Sequence, residues 1–132
     1  MDDYQAQAYK AIQPHDTEKD AIAHWTIGLT EEAGEVANVV KHKYYCGEPI
    51  AITKIAEELG DLLWYLAAMC TEYGISLSDV AKLNLAKLEH RYEGADEFDP
   101  SRSQERHRLM EAFEATPTYL AIVSKMQKEA GR

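Results

Sequence analysis

Apolar positions along this chain recur three and four residues apart, and no stretch alternates apolar with polar residues in the manner of a strand. The clearest segment starts near Ile52 or Thr53 and carries Ile55, Leu59, Leu62, Leu63, Leu66 and Met69 before Gly74 ends it. Prolines at 14, 49, 100 and 117 divide the rest into further helical segments, because proline lacks the amide hydrogen that a helix interior needs. A short amphipathic helix is predicted from Asp2 to about Gln13. The turn Pro14-His15-Asp16-Thr17 then offers Asp16 or Thr17 as the N-cap of a long helix from about Glu18 to Tyr45. Cys46-Gly47-Glu48-Pro49 stops it, since glycine terminates a helix readily and proline cannot continue one. Ser76 or Ser78 caps a fourth helix, in which Val80, Leu83, Leu85 and Leu88 are apolar and Asn84, Lys87 and Arg91 polar.

Four helices with short connections predict an all-α fold with an antiparallel four-helix-bundle core. Beyond Tyr92 the stretch EGADEFDPSRSQERHR is charged and rich in turn residues, and reads as a loop followed by a polar helix. Thr116-Pro117 sets a cap before a proline at the first helical position, which predicts a final helix from 117 to about 129. Its Tyr119, Leu120, Ile122, Val123 and Met126 need a partner surface, either the bundle or a second subunit. At 132 residues the chain is one domain long. The expected division is a domain over 1–102 and a C-terminal helical extension over 103–132.

Charge narrows the function. The formal charge is −9, from 23 acidic and 14 basic residues, and such a surface repels a polyphosphate backbone, so no nucleic acid polymer is expected as a partner. An anionic substrate would need positive charge added at its site, and carboxylates holding a divalent metal supply it. Cys46 and Cys70 form no CxxC pair, so neither a zinc site nor a disulfide framework is indicated and a reducing cytoplasm suits both. The start MDDYQAQAYK lacks a basic region followed by an apolar one, and no segment approaches the ~18 apolar residues of a membrane helix. Neither export nor a membrane is expected.

Two stretches look alike: Glu31-Glu32-Ala33-Gly34-Glu35-Val36 and Glu57-Glu58-Leu59-Gly60-Asp61-Leu62. Residues three apart share a helix face, so Glu32 pairs with Glu35 and Glu58 with Asp61. On antiparallel neighbouring helices all four carboxylates can converge. Gathered carboxylates raise one another's pKa unless a cation neutralises them, and magnesium or manganese, which take oxygen ligands, meets that need. Charge runs on helices are commonly just solvated faces; two matched pairs argue against that here. Glycine costs a helix ~1 kcal/mol relative to alanine, so its presence at 34 and 60 predicts close helix approach there. Glu31 and Glu57 either assist a metal, activate water or sit at the rim.

Asn84, Lys87 and Arg91 follow an i, i+3, i+7 spacing that makes one polar stripe, suited to phosphate oxygens or equally to surface salt bridges. His24 and Trp25 lie about two turns before the first acidic pair, where they either contact a nucleotide base or serve as core or interface residues. Core packing is expected of Trp64.

The stretches HWTIGLTEEAGEVANVVK from His24 to Lys41, IAEELGDLLWYLAAM from Ile55 to Met69 and NLAKLEHRY from Asn84 to Tyr92 resemble the MazG-type all-α nucleotide pyrophosphohydrolases. The resemblance covers roughly 20 to 102, including Phe98-Asp99-Pro100-Ser101-Arg102-Ser103. It implies magnesium, with manganese as a substitute, held by Glu32, Glu35, Glu58 and Asp61, and Glu31 as a helper that positions or deprotonates the attacking water. Lys87 and Arg91 would bind phosphates and Asn84 orient the nucleotide. The family's dimers or tetramers imply a homo-oligomer with sites at subunit interfaces. The implied reaction takes a nucleoside triphosphate to the monophosphate and pyrophosphate, controlling the nucleotide pool. A dUTPase-like or phosphoribosyl-ATP pyrophosphohydrolase activity shares that logic, and a non-catalytic helical module for nucleotide sensing or interaction is the rival from another class. A ferritin-like di-iron bundle would require Glu-x-x-His pairs, which neither acidic motif has.

Overall fold

The computed structural model describes residues 1–93 and 99–131, apart from the side chain at 103, and every described element is a helix. Phe98, part of the family-like stretch, and the rest of 94–98 lie outside the described residues. The chain forms two compact units, Met1–Tyr73 and Gly74–Arg132.

In the first unit, α1 (Asp2–Tyr9) is followed by α2 (Glu18–Cys46) and α3 (Ile52–Glu72). Helix α1 ends earlier than its apolar spacing suggests. Lys10, Ala11 and Ile12 donate to the carbonyls of Gln7, Ala8 and Tyr9, three residues back, so the chain tightens before the proline at 14, which disfavours a helical residue ahead of it. Thr17 caps α2 by accepting from the amide of Asp20, and Gly47 stops it in the left-handed region at φ 73°.

Helices α2 and α3 are antiparallel. Position 28 meets 65 and Glu32 meets Glu58 and Asp61, while Trp25 packs near Ala68, so the partner number falls as the first rises. The core lies between them: Ala21, Trp25 and Ala68 are buried, with Ile12, Trp64, Tyr65 and Met69 packed on them. Trp64 is thus a packing residue, as its neighbours suggest. Trp25 meets Trp64 edge to face with ring centroids 5.6 Å apart. Gln5 Nε2 donates to Thr71 Oγ1 at 3.2 Å and ties α1 to α3.

The glycine expectation needs correction. Among the described residues no neighbouring atom lies within 4 Å of a Cβ built at Gly34 or Gly60, whereas one built at Gly28 would lie 2.1 Å from the ring of Tyr65. Close approach therefore occurs about one turn before the acidic motif. Gly34 and Gly60 are exposed.

In the second unit, Ser76 caps α4 (Leu77–Tyr92), and Asp99 caps the short α5 (Pro100–Gln104) by accepting from the Ser101 amide at 2.9 Å. Helices α6 (Arg106–Glu114) and α7 (Pro117–Glu129, capped by Thr116) both pack on α4. Phe113 is buried between His90 and Tyr119, at centroid distances of 5.7 and 5.4 Å. The apolar stripe of α7 thus finds its partner in this unit, with Tyr119, Ile122, Val123 and Met126 half-buried and Leu120 left exposed. A buried carboxylate, Asp79, pins α7 to α4 by its ion pair with Lys125 and also pairs with Lys82 within α4.

Candidate functional site

The acidic motifs meet where α2 and α3 run side by side. Glu32, Glu58 and Asp61 each offer a carboxylate oxygen, and the three oxygens lie within 4.8 Å of one another. Their settings differ: Glu58 is buried, Glu32 half-buried and Asp61 exposed. Glu35 is not one of the three. It stands exposed one turn further along α2, and with Glu31, also exposed, it adds its charge to the field at Glu32. Partial burial first, then the charges of Asp61, Glu58, Glu31 and Glu35, hold the Glu32 carboxyl above its ordinary range. Negative charge at this spot is under-compensated.

The compensation that exists comes from Lys54, one turn before Glu58. Its Nζ lies 2.6 Å from Glu58 Oε1 and 3.1 Å from Glu57 Oε2. Among the described residues the buried Oε1 lacks a well-directed hydrogen bond, and this ion pair is its polar contact. Glu58 first and Glu57 second hold the Lys54 ammonium above its ordinary range. Glu57 is exposed and sits at the rim of the cluster.

An all-carboxylate set with oxygens this close, one of them buried, suits a hard divalent cation such as Mg²⁺ or Mn²⁺. It contains none of the thiolate or imidazole donors that zinc prefers. The residues present therefore fit such an ion.

Tyr65 follows Asp61 by one turn on α3. Its phenol is pushed up from the ordinary value by burial, then by Glu32, Glu31 and Asp61, which places it in the field of the acids. Tyr65 also lies near His24, with ring centroids 6.3 Å apart. His24 is exposed, hydrogen-bonded through Nδ1 to His15 Nε2 at 2.8 Å and stacked on Trp25 with centroids 4.7 Å apart. Trp25 is only 1 % exposed, so the pair does not form a two-ring platform for a base. The core covers Trp25, and only His24 reaches the surface.

On α4, in the second unit, Asn84 is exposed while Lys87 and Arg91 are half-buried. No ion pair joins Lys87 or Arg91 to a described carboxylate, and the buried Nε of Arg91 has no partner among the described residues.

Lys54 and Tyr65 carry no motif of their own and escape a reading of the acidic patterns. Both nevertheless sit at i−4 or i+4 from a cluster acid, Lys54 before Glu58 and Tyr65 after Asp61, and that spacing is the signal that finds them.

Comparison with known proteins places the chain in a family. The family model described as MazG nucleotide pyrophosphohydrolase domain matches residues 22–95. The "Gene 37 protein" of Mycobacterium phage L5 is 38% identical over 100 residues, covering 69% of this chain and 87% of the phage protein. The "Uncharacterized protein YvdC" of Bacillus subtilis (strain 168) is 36% identical over 77 residues, covering 51% of this chain and 72% of its own. No solved structure matches the chain. With the match spanning both acidic motifs and the Asn84–Arg91 stripe, the chain belongs to the family of MazG nucleotide pyrophosphohydrolase domains.

Proposed function

We propose that this protein hydrolyses nucleoside or deoxynucleoside triphosphates to the monophosphate and pyrophosphate, dependent on Mg²⁺ with Mn²⁺ as a substitute. The observation that carries the reading is the meeting of Glu32, Glu58 and Asp61 within 4.8 Å on two adjacent helices. Those three would hold the cation, with Glu35 beside them. When bound, the ion neutralises triphosphate charge and makes water a stronger acid. Without it, a chain of charge −9 would repel its own substrate.

Glu31, exposed and next to Glu32, positions the attacking water and takes its proton. The water oxygen bonds to the α-phosphorus, the bond from that phosphorus to the bridging oxygen breaks, and pyrophosphate leaves. Lys87 and Arg91 bind phosphate oxygens and Asn84 orients the nucleotide, a role supported by the lack of described acid partners for the two cations. His24 is the surface ring available to a base.

The reading includes a homodimer or homotetramer, supported by the exposure of Ile27, Ile52, Leu59 and Leu66 along α2 and α3. It also includes a reducing cytoplasm and nucleotide-pool control, consistent with free thiols at Cys46 and Cys70. No described helix is long and apolar enough to cross a membrane.

The test is a panel of ribo- and deoxynucleoside triphosphates, assayed for pyrophosphate with Mg²⁺ and then Mn²⁺. Pyrophosphate release that stops on chelation is expected. Release of orthophosphate alone, or no product from any triphosphate, would refute the reading; the latter would favour a nucleotide-sensing module.

A further inference from the structure

We propose that Lys54 is a built-in counter-ion that occupies Glu58 until a divalent cation displaces it, and so sets the cation concentration at which the site fills. This rests on the reading that Glu32, Glu58 and Asp61 bind such a cation.

The argument begins with burial. The Glu58 side chain is 5% exposed, and a carboxylate so enclosed needs a positive partner to remain charged. Lys54 Nζ, at 2.6 Å, supplies it from a side chain that is half exposed. The ammonium therefore sits on an oxygen of the same carboxylate that faces Glu32 and Asp61. A divalent ion arriving among these acids meets one positive charge already in place. It must either share Glu58 with a repelling neighbour or push that neighbour aside.

The structure has room for the second course. Lys54 also lines a cavity of about 200 Å³ between the end of α2 and the start of α3, with Asn38, His42, Lys43, Glu48 and Ala51 on its walls. Glu57, already 3.1 Å from the ammonium, keeps a hold on it after Glu58 lets go. Lysine suits this role because its charge rides on a flexible stem and can retreat by rotation about single bonds. An ordinary exposed i, i+4 pair would leave cation binding almost untouched, since both partners would be screened by water. Burial of one partner inside the acidic cluster makes the exchange costly enough to measure.

The test measures Mn²⁺ binding to the full chain without nucleotide, by the electron paramagnetic resonance of the free ion. Lys54→Met removes the charge and keeps most of the stem. It should bind Mn²⁺ about tenfold more tightly than wild type, the effect of one unit charge removed at close range. Lys54→Arg should stay within about twofold of wild type. Without metal, Lys54→Met should melt below wild type, and saturating Mn²⁺ should raise its midpoint by more than it raises that of wild type. Lys54→Gln, with the same expected tightening, stands in if Lys54→Met fails to fold.

Mn²⁺ binding by wild type with no tightening in the neutral variants overturns the counter-ion role and leaves the metal reading standing. Absence of binding in wild type and variants alike overturns both.

Discussion

The ring of Tyr65 fills the space that a side chain at position 28 would need. A Cβ built on Gly28 would lie 2.1 Å from Tyr65 Cε1 and 2.3 Å from Cζ, so α2 and α3 reach their spacing only because residue 28 is glycine. The same ring stands in the field of Glu32, Glu31 and Asp61. A contact that looks like packing therefore helps to set where the acids meet.

Gly28→Ala brings two opposed effects. Helix propensity favours alanine by ~1 kcal/mol, while overpacking costs about 1–3 kcal/mol because a half-buried ring must shift. The clash is severe, so a net loss of stability is expected, seen as a lower urea midpoint. Tyr65→Leu should recover part of that loss in the double variant and not by itself stabilise the protein. Equal losses with and without the ring would show that Tyr65 is not what position 28 avoids.

How much of this was legible in the sequence depends on the range of the interaction. The caps at Thr17, Ser76 and Thr116 and the stops at Gly47 and before Gly74 are local, and they set four helices close to where the pattern puts them. The spacing within each acidic motif was legible for the same reason. That Glu58 would be buried while Asp61 stays exposed was not, because burial depends on the other helix. Gly34 and Gly60 misled for a related reason: glycine marks room for something, and the sequence does not say whether the occupant is a neighbouring helix. Trp25 shows the limit most plainly, since a tryptophan beside a histidine reads equally well as a base platform and as core, and only its 1 % exposure decides.

Glu32 illustrates how a carboxylate of the proposed metal site is held at the expense of stability. Its carboxyl is pushed up by partial burial and by four neighbouring acids, which means the metal-free fold opposes its charge. Glu32→Gln keeps the shape and removes the repulsion. In chelator the variant should melt about 2–4 °C above wild type. With Mg²⁺ and a triphosphate its turnover should fall at least ~100-fold, since even changes beyond the direct ligands cost 10–100-fold. A variant that is no more stable without metal would show that the acids do not strain the fold.

Asp79 is the opposite case, a carboxylate whose charge the fold favours. Hydrogen bonding to Lys125 first, and to Lys82 after the opposing effect of burial, holds its carboxyl below the ordinary value of 3.8. A depressed pKa contributes stability that is present above the unfolded value and lost as pH falls through the folded one. Asp79→Asn should therefore cost about 2 kcal/mol at pH 7, the scale of a hydrogen bond to a charged group. The gap between variant and wild type should persist down to about pH 4 and close below 3.8. Hydrogen exchange on α7 reads the same pair locally, because Lys125 carries its α7 end, and the amides there should exchange faster in the variant. A gap that narrows between pH 8 and 5 instead would assign the effect to another group.

Gly34 and Gly60 lie inside the two acidic motifs and, among the described residues, meet nothing within 4 Å where a Cβ would stand. Glycine in a helix interior costs ~1 kcal/mol relative to alanine, and among the described residues no close contact offsets it. Gly34→Ala and Gly60→Ala should each stabilise the dilute, ligand-free protein by about 1 kcal/mol, visible as a higher urea midpoint with an unchanged slope. Each methyl would also stand within one turn of a cluster acid, so the same variants probe what packs there. If a second copy of the chain comes close at these positions, the added methyl lowers the midpoint rather than raising it. The midpoint of wild type must then rise with protein concentration, because association stabilises by mass action. A stabilised Gly34→Ala beside a destabilised Gly60→Ala would place such a contact on α3 and leave α2 free of it.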